Sequence, residues 1–175
     1  MSAQLNFRSA FNGFNREDVV HYIEYMNARG YGERVRHLTE SSATVALAAK
    51  ALSVTEGEIA KTLSFMLDGS PILIVMAGDV KTDNAKYRAA FGSKAKMLTP
   101  DEAVTLVGHA VGGVCPFGIK EGVKVFLDES LRRFTLVWAA CGAIDEVIGL
   151  AIPELEALSG SLAWVDVSKP AAPTV

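Results

Sequence analysis

Residues 61–77 constrain the fold of this chain more than any other stretch. Leu63, Phe65 and Leu67 alternate with Thr62, Ser64 and Met66, Asp68-Gly69 supplies a two-residue turn, and Ile72 to Met76 is continuously apolar. Alternation at a period of two buries one face of a strand, whereas an unbroken apolar run calls for burial on both. The stretch reads as a β-hairpin entering a buried sheet, since Asp-Gly readily takes the positive φ angles of the tightest hairpin turns. Residues 123–127, 135–140, 147–152 and 162–167 read as further strands, with shorter ones at 35–38 and 94–98.

Helical signals fall between these strands. Asn15 caps a helix over residues 16–29 with Val19, Tyr22, Ile23 and Met26 on one face and Gly30 as its stop. Ser42 precedes an alanine-rich helix through Leu52, residues 56–60 form a helical turn, and Thr82 opens a helix that Gly92 ends. Thr99-Pro100-Asp101-Glu102 is a capping-box sequence with proline at the first helical position, and its helix is expected to end near Gly108. Pro153 opens a short helix through Leu158. Strands that arrive in hairpin-like clusters, without steady βαβ alternation, favour a mixed or largely antiparallel sheet.

With 175 residues, half of them hydrophobic, the chain can bury one sizeable core. The expected division is an extension over residues 1–15, a domain over 16–168 and a frayed Pro- and Ala-rich tail over 169–175. A net charge of −3 argues against a protein that sheathes long DNA, because such binding neutralises many phosphates at once. The start MSAQLNFRSAFNGFN lacks a secretory pattern and no apolar run spans a bilayer, so a cytoplasmic, membrane-free protein is expected. Cys115 and Cys141 read as free thiols. No metal-ligand spacing is present, and no cofactor fingerprint or P-loop.

The candidate chemistry lies in two places. GHAVGGVCPFG, residues 108–118, clusters glycines where a backbone takes positive φ or lets another group approach closely. Such N–H groups can bind an anion or a developing oxyanion, and a merely flexible connection is the competing reading. Lys61, at the start of the apolar strand, reads alone as a surface lysine. Partly buried, it can orient a carbonyl or phosphate, stabilise negative charge or act as a base. His109 and Cys115 stand beside the glycine loop, the thiol more simply as a buried apolar group. No Gly-x-Ser-x-Gly nucleophile elbow is present.

In order, the segments EIAKTLSF, PILIVMAGD, LTPDEAVTLVGHAVGGVCPFG, VKVFLDESL and LVWAACG resemble the YbaK and prolyl-tRNA synthetase editing-domain family over residues 45–167. The most specific matches are K-T-L at 61–63, G-G-V-C-P-F-G at 112–118 and L-D-E-S-L ending at Leu131. The resemblance implies a single compact α/β domain with a mixed, largely antiparallel, barrel-like sheet surrounded by helices. It implies metal-free hydrolysis of mischarged aminoacyl-tRNA, with an aminoacyl-tRNA synthetase such as prolyl-tRNA synthetase as a partner. Lys61, Gly112 and Gly113 are then the expected catalytic positions. Thr62, His109, Val114, Cys115, Pro116, Phe117, Gly118 and Asp128 are the expected substrate-binding ones. Family members that edit alanine carry asparagine where this chain has Thr62. The alternatives are a non-catalytic module that binds aminoacyl-tRNA or a synthetase, and a hydrolase of other small esters.

Overall fold

A computed structural model describes residues 24–110, 112–141 and 145–172. Its centre is the expected hairpin: β2 (Ile59–Leu67) and β3 (Ser70–Ala77) pair antiparallel from Ala60↔Ala77 to Leu67↔Ser70. Asp68 and Gly69 both hold positive φ, 49° and 80°, the geometry whose twist matches that of the flanking strands. Residues Ile72 to Ala77 are almost wholly buried because β3 has strands on both sides, β2 antiparallel and β5 (Lys124–Asp128) parallel. That double burial accounts for the unbroken apolar run.

β1 (Arg36–His37), β6 (Leu136–Ala140), β7 (Glu146–Ala151) and β8 (Ala163–Val165) complete a seven-stranded sheet in the order β1-β7-β6-β2-β3-β5-β8. The hairpins β2–β3 and β6–β7 and the β1–β7 edge are antiparallel; β6–β2, β3–β5 and β5–β8 are parallel. The sheet is mixed, as expected. Around it lie α1 (Val45–Leu52), α2 (Asn84–Phe91), α3 (Pro100–Glu102) and α4 (Ile152–Ser159). No helix among the described residues is long and apolar enough to cross a membrane.

Several boundaries differ from expectation for local reasons. Thr44, not Ser42, caps α1, its hydroxyl accepting from the Leu47 amide at 3.2 Å. Asp83, not Thr82, caps α2, its carboxylate accepting from Ala85 and Lys86. This frees Thr82 for a strand, β4 (Val80–Thr82). The helical turn stops at Glu58, so Ala60 and Lys61 lie inside β2. The tail is not frayed from Lys169: β9 (Ser168–Pro170) pairs antiparallel with β4. Residues 94–98 make only a bridge between Met97 and Phe65, held by Met66 N–H to Lys96 O at 2.8 Å and Leu98 N–H to Ser64 O at 3.0 Å. The Thr99 capping box forms as expected and its helix widens to a π turn (Ala103–Val107) before Gly108 at φ 99°. Of the N-terminal helix, residues 24–28 are helical and Gly30 has positive φ; Asn15, Val19, Tyr22 and Ile23 lie outside the described residues.

Candidate active site

A cavity of about 290 Å³ opens where β2 loses a neighbour. On the side away from β3, β2 pairs with β6 only through Ile59 and Ala60, and the chain is taken up again at Ser64 by Leu98. Residues two apart on a strand point their peptide groups to the same side. Ser64 and Met66 bond away from β3, so the Thr62 N–H and C=O also point that way, into the gap. Lys61, Thr62, Gly112 and Val114 all line this cavity, with apolar walls from α1 and from Trp138 of β6. The Trp138 ring lies so close over Gly149 of β7 that an added Cβ there would come within 2.9 Å of it.

Lys61 is half-buried. Its ammonium donates to Val80 O and, at 3.5 Å, to Gly78 O. Burial pushes its pKa below the usual lysine range, opposed by the charges of Asp79 and Glu56. The carbonyls it meets flank Asp79 in the turn between β3 and β4. That turn is wedged against the 3-10 turn Glu56–Glu58, and a Cβ on Gly78 would meet Glu56 O at 2.1 Å. Glycine is required there by close approach rather than by φ. Asp79 is itself held by a two-pronged Arg133 pair, Nη2–Oδ1 2.5 Å and Nη1–Oδ2 3.0 Å. Hydrogen bonding to that guanidinium holds the Asp79 carboxyl below its ordinary range.

The other expected site residues do not share the cavity. The Gly113 N–H donates to Ala110 O at 3.1 Å, closing a local turn with Gly112 at φ 93°, so this amide is already engaged. His109, Cys115 and Phe117 are buried together: His109 Nδ1 accepts from the Cys115 N–H at 3.4 Å, and the Cys115 thiol reaches Phe117 O at 3.6 Å. Pro116 and Gly118 are buried beside them. None of these five lines the cavity, and Cys115 and Phe117 belong to the hydrophobic core. Asp128 is fully buried and spent on architecture. Its carboxylate accepts from Val167 N–H at 2.9 Å, Ser168 Oγ–H at 2.7 Å and Ser130 N–H at 3.0 Å, the last capping the 3-10 helix Glu129–Arg133.

Sequence reasoning missed Trp138 and Ser64 in the cavity wall, and Asp79 and Arg133 behind Lys61. Trp138 and Ser64 carry no local pattern beyond that of strand residues, and Asp79 and Arg133 meet across 54 residues. Arg36 of β1 lies over the ring of the cavity-lining Trp138 at 5.3 Å, so a cation and an aromatic surface stand together. Among the described residues no three His, Cys, Asp or Glu side chains converge as metal ligands do.

The aminoacyl-tRNA editing domain family matches residues 39–158. YwhH of Bacillus subtilis, itself uncharacterized, is 44% identical over 93% of this chain and 94% of its own length. A proline–tRNA ligase of Halalkalibacterium halodurans is 33% identical over 60% of this chain, which spans only 18% of that enzyme. A crystal structure described as "a putative trans-editing enzyme for prolyl tRNA synthetase" superposes with a TM-score of 0.77 at 30% identity, covering 87% of this chain and 97% of that one. The family that the motifs at Lys61, Gly112 and Leu131 resemble is thus the family matched over most of the chain, and this protein belongs to the aminoacyl-tRNA editing domains.

Proposed function

We propose that this protein is a trans-editing deacylase that hydrolyses the ester between a wrongly attached amino acid and its tRNA. The observation that carries the reading is Lys61: a half-buried lysine that lines a cavity, next to Thr62, which lines the same space. A cavity near 290 Å³ stands at the small end of ligand sites. It suits one aminoacyl group, with the terminal adenosine at the mouth.

Water attacks the ester carbonyl carbon, the bond to the ribose oxygen breaks, and that oxygen takes up a proton as amino acid and tRNA separate. The negative charge that develops on the carbonyl oxygen is met by the Lys61 ammonium and the Thr62 N–H. A well-placed donor contributes roughly 3 kcal/mol to such a transition state. The engaged Gly113 amide serves instead to hold Gly112 against the cavity. No side-chain nucleophile is needed, because the ester is already activated by its ribose and water needs only placement. Arg36 and the Trp138 face supply a charge for a phosphate and a surface for a base near the 3′ end. Apolar walls select by size, as a second sieve does. The work belongs in the cytoplasm, with prolyl-tRNA synthetase the first partner to examine.

The test is release of amino acid from tRNAs charged with serine, alanine, cysteine and threonine. At least one substrate is expected to be cleaved, and Lys61→Ala to lose cleavage while keeping its circular-dichroism spectrum and unfolding midpoint. Intact charged tRNA across a broad panel, with saturable binding only, would assign the chain to a non-catalytic module instead.

A further inference from the structure

We infer that Asp79 and Arg133 form a positioning pair that seats the Lys61 ammonium and sets its charge from opposite sides. The inference rests on the reading of Lys61 as a working residue of the cavity, and it names two groups outside that cavity on which Lys61 depends.

The geometry begins with acceptors. An ammonium has three donors, and two of them meet the carbonyls of Gly78 and Val80, the residues on either side of Asp79. Whatever fixes Asp79 therefore fixes both acceptors. Arg133 does so with a two-pronged pair, and its own Nε donates to Ser130 O at 2.9 Å. Ser130 in turn accepts the Ala77 N–H on its hydroxyl at 3.1 Å, one residue before Gly78. The 3-10 helix after β5 thus grips the β3–β4 turn at both ends. The Asp128 carboxylate that caps this helix gives the L-D-E-S-L motif its role. Gly57 and Gly78 close the packing, since a Cβ on Gly57 would reach Phe134 Cζ at 2.6 Å and Asp79 Oδ2 at 3.0 Å.

The charges around Lys61 come from three elements: Asp79 in the β3–β4 turn, Glu56 in the preceding 3-10 turn, and Arg133 behind Asp79, itself within the field of Asp128. Asp79 compensates the burial of the ammonium. Arg133 draws on the same carboxylate, so it weakens that compensation while holding the turn in place. A two-pronged guanidinium does both at once, and a lysine could supply the charge without the fork.

These roles separate by sign. In Asp79→Asn the ammonium loses its counter-charge and its titration moves to lower pH. Simple loosening of the turn would admit water and move it to higher pH, towards an ordinary lysine. In Arg133→Met the carboxylate is released to Lys61 and the titration moves to higher pH, while Arg133→Lys keeps the charge and leaves it near the wild-type position. Asp79 and Arg133 are both substantially exposed, so these variants are expected to fold.

The experiment is an NMR titration of the full-length protein labelled at lysine Cε, with Lys61→Met to assign the signal. Opposite movements in Asp79→Asn and Arg133→Met, with Arg133→Lys unmoved, are the expected result. A shift to higher pH in Asp79→Asn, or no shift in Arg133→Met, overturns the inference. The titration is read without turnover, so absence of deacylation would sink the proposed function and leave this result standing, and the reverse also holds.

Discussion

Glu146 offers a sharp test of the electrostatics along the β1–β7 edge. It is the first residue of β7, paired in register with His37 of β1. Its side chain is only 12% exposed, with Asp145 next to it in sequence and His37 Nδ1 at 4.0 Å. Burial, and then the Asp145 charge, push its pKa from 4.5 up to about 7. The folded state therefore binds a proton that the unfolded chain releases at lower pH. Full stability is present below about pH 4.5 and is lost as pH rises to the folded value near 7. At 1.36 kcal/mol per pH unit the loss has a ceiling of roughly 3 kcal/mol, and relaxation with partial hydration brings the expected loss to about 1–3 kcal/mol. Glu146→Gln removes the charge and keeps the shape. Urea unfolding of both proteins from about pH 5 to about pH 8 isolates the effect, because every other group is the same in the two. The glutamine variant is expected to gain on wild type progressively over that range and to level off above it. A stability difference that stays constant with pH would refute the burial argument.

Two further perturbations test the division between cavity and scaffold. Asp128→Ala leaves the Val167 N–H and the Ser168 hydroxyl without their carboxylate and uncaps the turn before Arg133. A loss of about 3 kcal/mol in denaturant unfolding is expected, against about 1 kcal/mol for Ser168→Ala; near-neutral stability in Asp128→Ala would return that residue to the list of site candidates. Ala48 lies on α1 with its methyl group in the cavity wall. Ala48→Leu is expected to extend into that space, leaving thermal stability within about 1 kcal/mol while lowering amino-acid release about tenfold or more. Undiminished release would place the substrate elsewhere.

What could be read from residues alone was whatever local chemistry decides. The hairpin was legible because alternation, Asp68-Gly69 and a two-sided apolar run agree, and the Thr99 box because proline and Glu102 suit only a helix start. Gly30, Gly92 and Gly108 end helices at positive φ as expected. The small β4–β9 sheet was not legible, because Val80 and Pro170 are partners across the length of the domain and neither segment alternates. Nor was the cavity, whose walls come from α1, β2 and β6 and whose cause is a missing neighbour along β2 rather than any residue present. Strand pairing that stops after two residues leaves no trace in a pattern of side chains.

The glycine loop shows why a motif can point to the right place for the wrong atoms. Positive φ in a glycine cluster serves equally to expose amides to a ligand and to turn them back on the chain, and composition cannot separate the two. Here Gly112 takes φ 93° and lines the cavity, while the next amide, of Gly113, is spent on Ala110 O. His109, Cys115 and Phe117, which the resemblance implied as substrate-binding, are buried and bonded to one another. The cluster is therefore better understood as a turn that brings one glycine and Val114 into the wall of the cavity that Lys61 also lines. In the function proposed above, the donor that the loop was expected to supply comes from β2, at Thr62, immediately after the lysine. Replacing Gly113 by alanine is expected to spare release far better than replacing Gly112, whose φ is 93°. Equal loss in the two variants, measured on the same charged tRNA, would restore Gly113 to the reacting group.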